Sequence, residues 1–180
     1  MQLINGIKER RSIRKYNSDK VSKDIIEKII DSARYAPSWK NSQTARYYIV
    51  VDENVKSEIA ENATLNFSKN KNNIDSAPVL VVLTTVDKIS GYNPDGSETT
   101  SKGEHWQSFD AGIACEAFCL TAYEFGLGTL IMGIYDEDKV KEILGLPENE
   151  KVSALIALGY PNEQPKAPKR KDIDEIAKFI

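Results

Sequence analysis

Glu9-Arg10-Arg11-Ser12-Ile13-Arg14 brings three guanidinium groups and a hydroxyl together near the start of a mildly acidic chain. A guanidinium fork can hydrogen-bond phosphate bidentately, and a serine hydroxyl can add one more donor, so the run reads as an anion holder. The competing reading pairs the arginines with Glu9, Asp19 and Asp24 on a solvated surface. At helical spacing Arg10 and Arg14 share a face, which places them on or beside an N-terminal helix.

A second group is Ala36-Pro37-Ser38-Trp39-Lys40-Asn41-Ser42-Gln43. Pro37 stops a helix, and Ser38, Asn41, Ser42 and Gln43 then offer donors and acceptors beside an aromatic ring, enough to read the polar edge of a flat heterocycle. A capping loop would have the same composition. The third group, Gly126-Leu127-Gly128-Thr129-Leu130-Ile131-Met132-Gly133, lacks the phosphate-loop lysine and the dinucleotide fingerprint. Its glycines permit close backbone approach with free N–H groups, or simply end a helix. His105-Trp106 lies beside a glycine-containing loop and could face a substrate.

The elements that must position these residues follow from apolar periodicity. Ser22 caps a helix carrying Ile25, Ile26, Ile29, Ile30 and Ala33. Tyr47-Val51 reads as a strand, Val55-Ala63 as a weaker helix, and Val79-Leu83 as a strand that is apolar on both faces and therefore central. A polar excursion spans 87–104, long enough to be a lid, a pocket rim or a disordered segment. Phe109-Phe125 is helical, Asp136 caps a short helix with Val140, Ile143 and Leu144, and Ser153-Tyr160 is the last strand. Beyond it lies a polar arm, with Ile173, Ile176 and Ala177 as a short stripe that must dock on something. The pattern is α+β, a small mixed sheet with helices on both faces.

With 180 residues, the chain is expected to form a single domain over 1–180. A net charge of −3 with 28% charged residues argues against a nucleic-acid partner. No apolar stretch is long enough for a membrane span, and no secretion signal is evident, so a cytoplasmic location is expected. One histidine and two cysteines leave no metal cluster; Cys115 and Cys119 share a helical face, where packing is favoured over a disulfide.

Taken in order, Arg10-Arg11-Ser12-Ile13-Arg14, Pro37-Ser38-Trp39-Lys40-Asn41-Ser42-Gln43, the Asp110-Thr129 helix and turn, and Leu158-Gly159-Tyr160-Pro161 followed by Lys169-Arg170 resemble the FMN-dependent nitroreductase family. The resemblance implies that Arg10 and Ser12 bind the flavin phosphate, with Lys169 and Arg170 returning to it, and that Arg11 lies nearby and uses its backbone. It places Arg14 at the N1 and O2 side of the ring, where its charge makes it the catalytic candidate. Pro37 and Ser38 would lie along the ring, Asn41 at its edge or the ribityl chain, and the backbones of Met132 and Gly133 at N5 and O4. The polar stretch 62–73 shows no counterpart of the family's additional flavin-binding asparagine and lysine, and Asn70 is placed near the site without one. It further implies a homodimer clasped by residues 162–180 and ping-pong hydride transfer from NADH or NADPH through N5 to nitroaromatics, quinones or another small-molecule electron acceptor. An FMN-binding regulatory or electron-storage protein with little turnover is the other reading. Thr44-Ala45 departs from the Pro-Trp common in the family, Trp39 is bulkier than usual, and the chain has little sequence to roof a substrate.

Overall fold

The computed structural model describes residues 3–180; Met1 and Gln2, at the head of the expected domain, lie outside the described residues. Helices α1 (Leu3–Glu9) and α2 (Lys23–Ala33) lead to a 3₁₀ turn at Trp39–Asn41 and strand β1 (Ala45–Val50). Helices α3 (Glu53–Asn62) and α4 (Ser68–Ser76) precede β2 (Val79–Val86), and the long α5 (His105–Glu124) precedes β3 (Gly128–Met132). Helix α6 (Glu137–Leu144), β4 (Glu150–Gly159) and the short α7 (Ile173–Ile176) complete the chain.

The strands form one sheet in the order β1-β2-β4-β3, with every neighbouring pair antiparallel. The mixed sheet expected from sequence is thus corrected: parallel pairing is confined to a bridge between Ser12 and Thr129 at the β3 edge. Antiparallel order follows because each strand returns beside a partner running the other way, although helices intervene between them. Central β2 is covered on both sides, as its two-faced apolarity predicts. Leu80 and Val82 face α3, α4 and α6, whereas Val79, Val81 and Leu83 face α2 and α5.

On β4 the alternation slips. Leu83 pairs with Ala154 but Thr84 pairs with Val152, so Ser153 is the extra residue of a bulge. The bulge turns Val152 to the same layer as Leu155 and Ala157 while Ala154, Ile156 and Leu158 keep the other. Local chemistry sets the helix ends. Ser22 Oγ accepts from Ile25 N–H at 3.3 Å to start α2, and Asp136 Oδ1 accepts from Lys139 N–H at 3.1 Å to start α6. Gly145, at φ +61°, closes α6 in the left-handed conformation that glycine adopts without strain.

The expected N-terminal helix stops at Glu9, and the segment 10–17 is extended. Ile13 N–H donates to Thr129 O at 3.0 Å, Asn17 N–H to Tyr160 O at 3.0 Å, and Asn162 N–H to Lys15 O at 2.8 Å. The segment therefore runs along the sheet edge at β3 and the chain just after β4.

Candidate functional site

Extended backbone changes which arginines share a side. With a period of two, Arg10, Ser12 and Arg14 alternate with Arg11 and Ile13. Ile13 turns inward and is buried, and Arg11 lines a cleft with it beside Gly126 and Gly128. Arg11 also donates to Lys8 O and Arg10 O, both at 2.7 Å, which satisfies carbonyls where α1 ends.

Arg10 points at α5. Its Nε lies 3.5 Å from Glu116 Oε1, an ion-pair distance, yet the same buried Nε makes no hydrogen bond. The contact is too long and poorly aimed to count as satisfied, and a shielded donor in that state costs free energy until an acceptor arrives. Arg14 is exposed: its backbone N–H donates to Glu163 Oε1 at 2.5 Å and its guanidinium folds back to Ser12 O at 3.3 Å. Glu163, unremarked in the sequence, thus anchors the start of the arm to the basic segment.

Beside Glu116 opens a cleft of about 670 Å³ between α5 and the bulged end of the sheet. Its walls include Gln107, Gly112, Cys115, Ile131 and Ser153. Gln107 is buried with its Oε1 unpartnered. Cys115 and Cys119 are free buried thiols that hydrogen-bond each other; that contact, reinforced by burial, holds the Cys115 thiol well above its ordinary pKa and leaves it protonated.

The Pro37–Gln43 loop is built on α5 as well. Asp110, buried, accepts from Trp39 N–H at 2.9 Å and from Ser90 Oγ–H at 2.7 Å. One carboxylate therefore ties both the loop and the 87–104 excursion to the helix, a role with no signal in the sequence beyond an acid in an otherwise apolar stretch. Ser38 Oγ accepts from Gln43 N–H at 2.9 Å, and Lys40, Asn41 and Gln43 take φ of 48°, 56° and 50°. Positive φ at three non-glycine residues within four positions is strain of the kind that clusters at ligand sites. Buried Trp39 Nε1, Ser42 Oγ and Thr44 Oγ1 lack partners here too. Pro37 and Ser38 line a smaller cleft of about 310 Å³, walled by Ala45, Tyr47 and Arg34.

Asn70 is buried on α4 and its Nδ2–H donates to Ile134 O at 2.9 Å, which fixes the chain just beyond Met132 and Gly133. Met132 is buried, whereas Gly133 is exposed with open space where a Cβ would stand. The Gly126–Gly133 run holds strand β3, which sequence patterning did not predict. Gly126, at φ +75°, ends α5, and Gly128 makes room for Ile13. Lys169 and Arg170 are exposed in the arm, and among the described residues no hydrogen bond or ion pair joins them to Arg10, Ser12 or Arg14. No group of three His, Cys, Asp or Glu side chains is placed to hold a metal, and no helix is long and apolar enough to cross a membrane, both among the described residues.

A three-layered α+β fold, one sheet between two layers of helices, with a basic extended segment on one sheet edge defines the class. The chain belongs to the nitroreductase family, whose model matches residues 7–160. It is 30% identical over 179 residues to the NADH dehydrogenase of Thermus thermophilus, covering 87% of this chain and 85% of that protein. The crystal structure of a nitroreductase family protein from Clostridium novyi NT superposes with TM-score 0.77 at 31% identity, over 97% of this chain and 92% of the other. The NADPH:FMN oxidoreductase of Vibrio harveyi, solved with NAD+, gives TM-score 0.82 at 25% identity, over 98% of this chain and 76% of that one.

Proposed function

We propose that the protein is an FMN-dependent oxidoreductase that draws electrons from NADH or NADPH and delivers them, in a ping-pong cycle, to a small acceptor such as a nitroaromatic or a quinone. The observation that carries this reading is the buried Arg10 Nε, left without a hydrogen bond against Glu116, a residue that lines a cleft large enough for a mononucleotide. The donor set suits a phosphate monoester: one guanidinium fork, one hydroxyl and, on the arm, Lys169 and Arg170.

Bound FMN supplies hydride acceptance and release; the chain supplies its placement and electrostatics. Arg10 and Ser12 hold the phosphate, and Arg11 contributes backbone. Arg14 sets positive charge at the N1 and O2 side, opposing the negative charge that reduction adds there. Pro37 and Ser38 flank the ring, Asn41 binds its edge or the ribityl chain, and Asn70 steadies the segment whose Met132 and Gly133 backbone approaches N5 and O4. The bare face at Gly133 admits a flat ring close to the main chain. A proton from solvent completes acceptor reduction, so no acid–base dyad is needed.

A homodimer in the cytoplasm completes the proposal. Leu3, Ile4 and Ile7 on α1 and Ile173, Ile176 and Phe179 on the arm are all exposed in the single chain, two apolar stretches that a second copy would cover. The test is the visible spectrum of the purified protein before and after anaerobic NADH or NADPH, followed by an acceptor. Bleaching and recovery of the flavin band are expected. A bound flavin that neither donor bleaches would instead favour the storage role, and folded protein that refuses FMN would refute both.

A further inference from the structure

The chain's two tryptophans meet. Trp39 on the strained loop and Trp106 on the first turn of α5 have ring centroids 4.7 Å apart, with planes at 47°. Phe109 joins Trp106 edge-on at 5.7 Å and is about half exposed. Two ammoniums hang over the cluster: Lys40 Nζ is 5.6 Å from the Trp39 ring and Lys102 Nζ is 4.8 Å from the Trp106 ring. Neither forms an ion pair with a carboxylate among the described residues.

The cluster is held rigidly. Trp106 Nε1–H donates to Thr100 Oγ1 at 2.9 Å, Trp39 N–H is fixed by Asp110, and the excursion closes so tightly that a Cβ at Gly91 would lie 2.5 Å from Gly103 O. Lys102 and Thr100 come from the excursion, Trp39 and Lys40 from the loop, and Phe109 from the helix, so three separate pieces of chain converge on one patch. Convergence of aromatic faces with unpaired cations from three segments is the composition of a recognition surface, not of a core.

We propose that this patch binds a planar aromatic anion, its ring against Trp39, Trp106 and Phe109 and its carboxylate or equivalent group between the ammoniums of Lys40 and Lys102. Trp39 lies between Ser38 and Asn41, so, resting on the flavin oxidoreductase reading, the bound anion is the electron acceptor and the patch sets its class. Stacking on an indole selects for the arene, and the cations select for the charge.

With no other tryptophan in the chain, intrinsic fluorescence reports the patch alone. Flavin-stripped and FMN-loaded protein are titrated with 4-nitrobenzoate and with neutral 4-nitrobenzyl alcohol, with correction for their absorbance. Saturable quenching is expected with the anion about tenfold tighter at low salt, a preference that added salt weakens and that the double variant K40Q/K102Q abolishes. In FMN-loaded protein that variant should raise KM for 4-nitrobenzoate by a similar factor and leave NADH-driven bleaching unchanged. Equal, non-saturating quenching by both probes, or a charge preference that survives K40Q/K102Q, would overturn the inference. Bleaching is read separately: if it fails while the anion still binds, the redox reading falls and the recognition site remains.

Discussion

A Cβ added at Gly128 would lie 2.5 Å from Ile13 Cγ1 and 2.8 Å from Ile13 Cβ. Ile13 is buried and its neighbour Ser12 bridges Thr129, so a methyl group at position 128 presses the basic segment off the sheet edge. Gly128→Ala should cost about 1–3 kcal/mol by urea denaturation, as overpacking does. Ile13→Ala in the same chain should make the loss less than additive, because the pair shares one volume. An additive double variant would show that the clash is not with Ile13. Arg10 makes a different kind of contribution. Its buried Nε lacks an acceptor in the protein, so a phosphate oxygen there would gain a charge-assisted bond. Arg10→Ala should weaken FMN binding by about 1.5–3 kcal/mol, read by flavin fluorescence titration with the fold checked by circular dichroism. Affinity unchanged in folded protein would remove Arg10 from the phosphate site.

At the scale of elements, Asp110 couples three pieces of chain through two hydrogen bonds, to Trp39 N–H and Ser90 Oγ–H. Asp110→Ala strands both donors, and a loss of about 1.5–3 kcal/mol is expected, with accelerated hydrogen exchange at the Trp39 amide. Exchange at that amide no faster than in the parent would show that the loop is held by its own turn instead. This anchor was not legible in the sequence, because a lone aspartate in a helix does not announce which distant amide it meets. The strongly periodic elements were legible: α2, β2, the α5 body, α6 with its Asp136 cap, and β4 were all read near their observed bounds. Helix α4 was not, since Ile74 and Asn70 are its buried residues and its remaining side chains are polar. Strand β3 was missed because glycines flank it and its pairing with β4 is a nonlocal fact. The basic segment is legible as a group on or beside an N-terminal helix, and the structure selects the second alternative: α1 ends at Glu9 and Thr129 captures the backbone that follows.

For the molecule as a whole, two apolar layers on opposite faces of one sheet were predictable from β2, whereas the path of residues 162–180 was not, since a polar arm carries no periodicity to fix its docking. What joins the layers to the segments around them includes three phenols, that of Tyr16 buried and those of Tyr47 and Tyr135 half-buried. Tyr16 OH donates to Ile13 O at 2.6 Å and to Ala157 O on β4 at 3.3 Å, Tyr47 OH to Ala114 O at 3.2 Å and Tyr135 OH to Val152 O at 2.8 Å, linking the basic segment, β1 and the approach to α6 to their neighbours. Burial raises the pKa of all three above the ordinary 10, that of Tyr135 to about 12. A proton held more tightly in the folded chain gives stability that is complete below the unfolded value and lost as pH climbs through the folded one. The urea midpoint should therefore stay flat up to about pH 9 and then fall with these phenols' titration, stability dropping with a slope of about 1.4 kcal/mol per pH unit for each proton the unfolded chain releases in excess. Tyr135→Phe removes one such proton, so it should cost about 1 kcal/mol at neutral pH yet shallow the alkaline decline. Tyrosinate absorbance recorded through the same range should rise in step with unfolding; phenols that all ionise near pH 10 in a chain still folded would contradict the burial of Tyr16, Tyr47 and Tyr135.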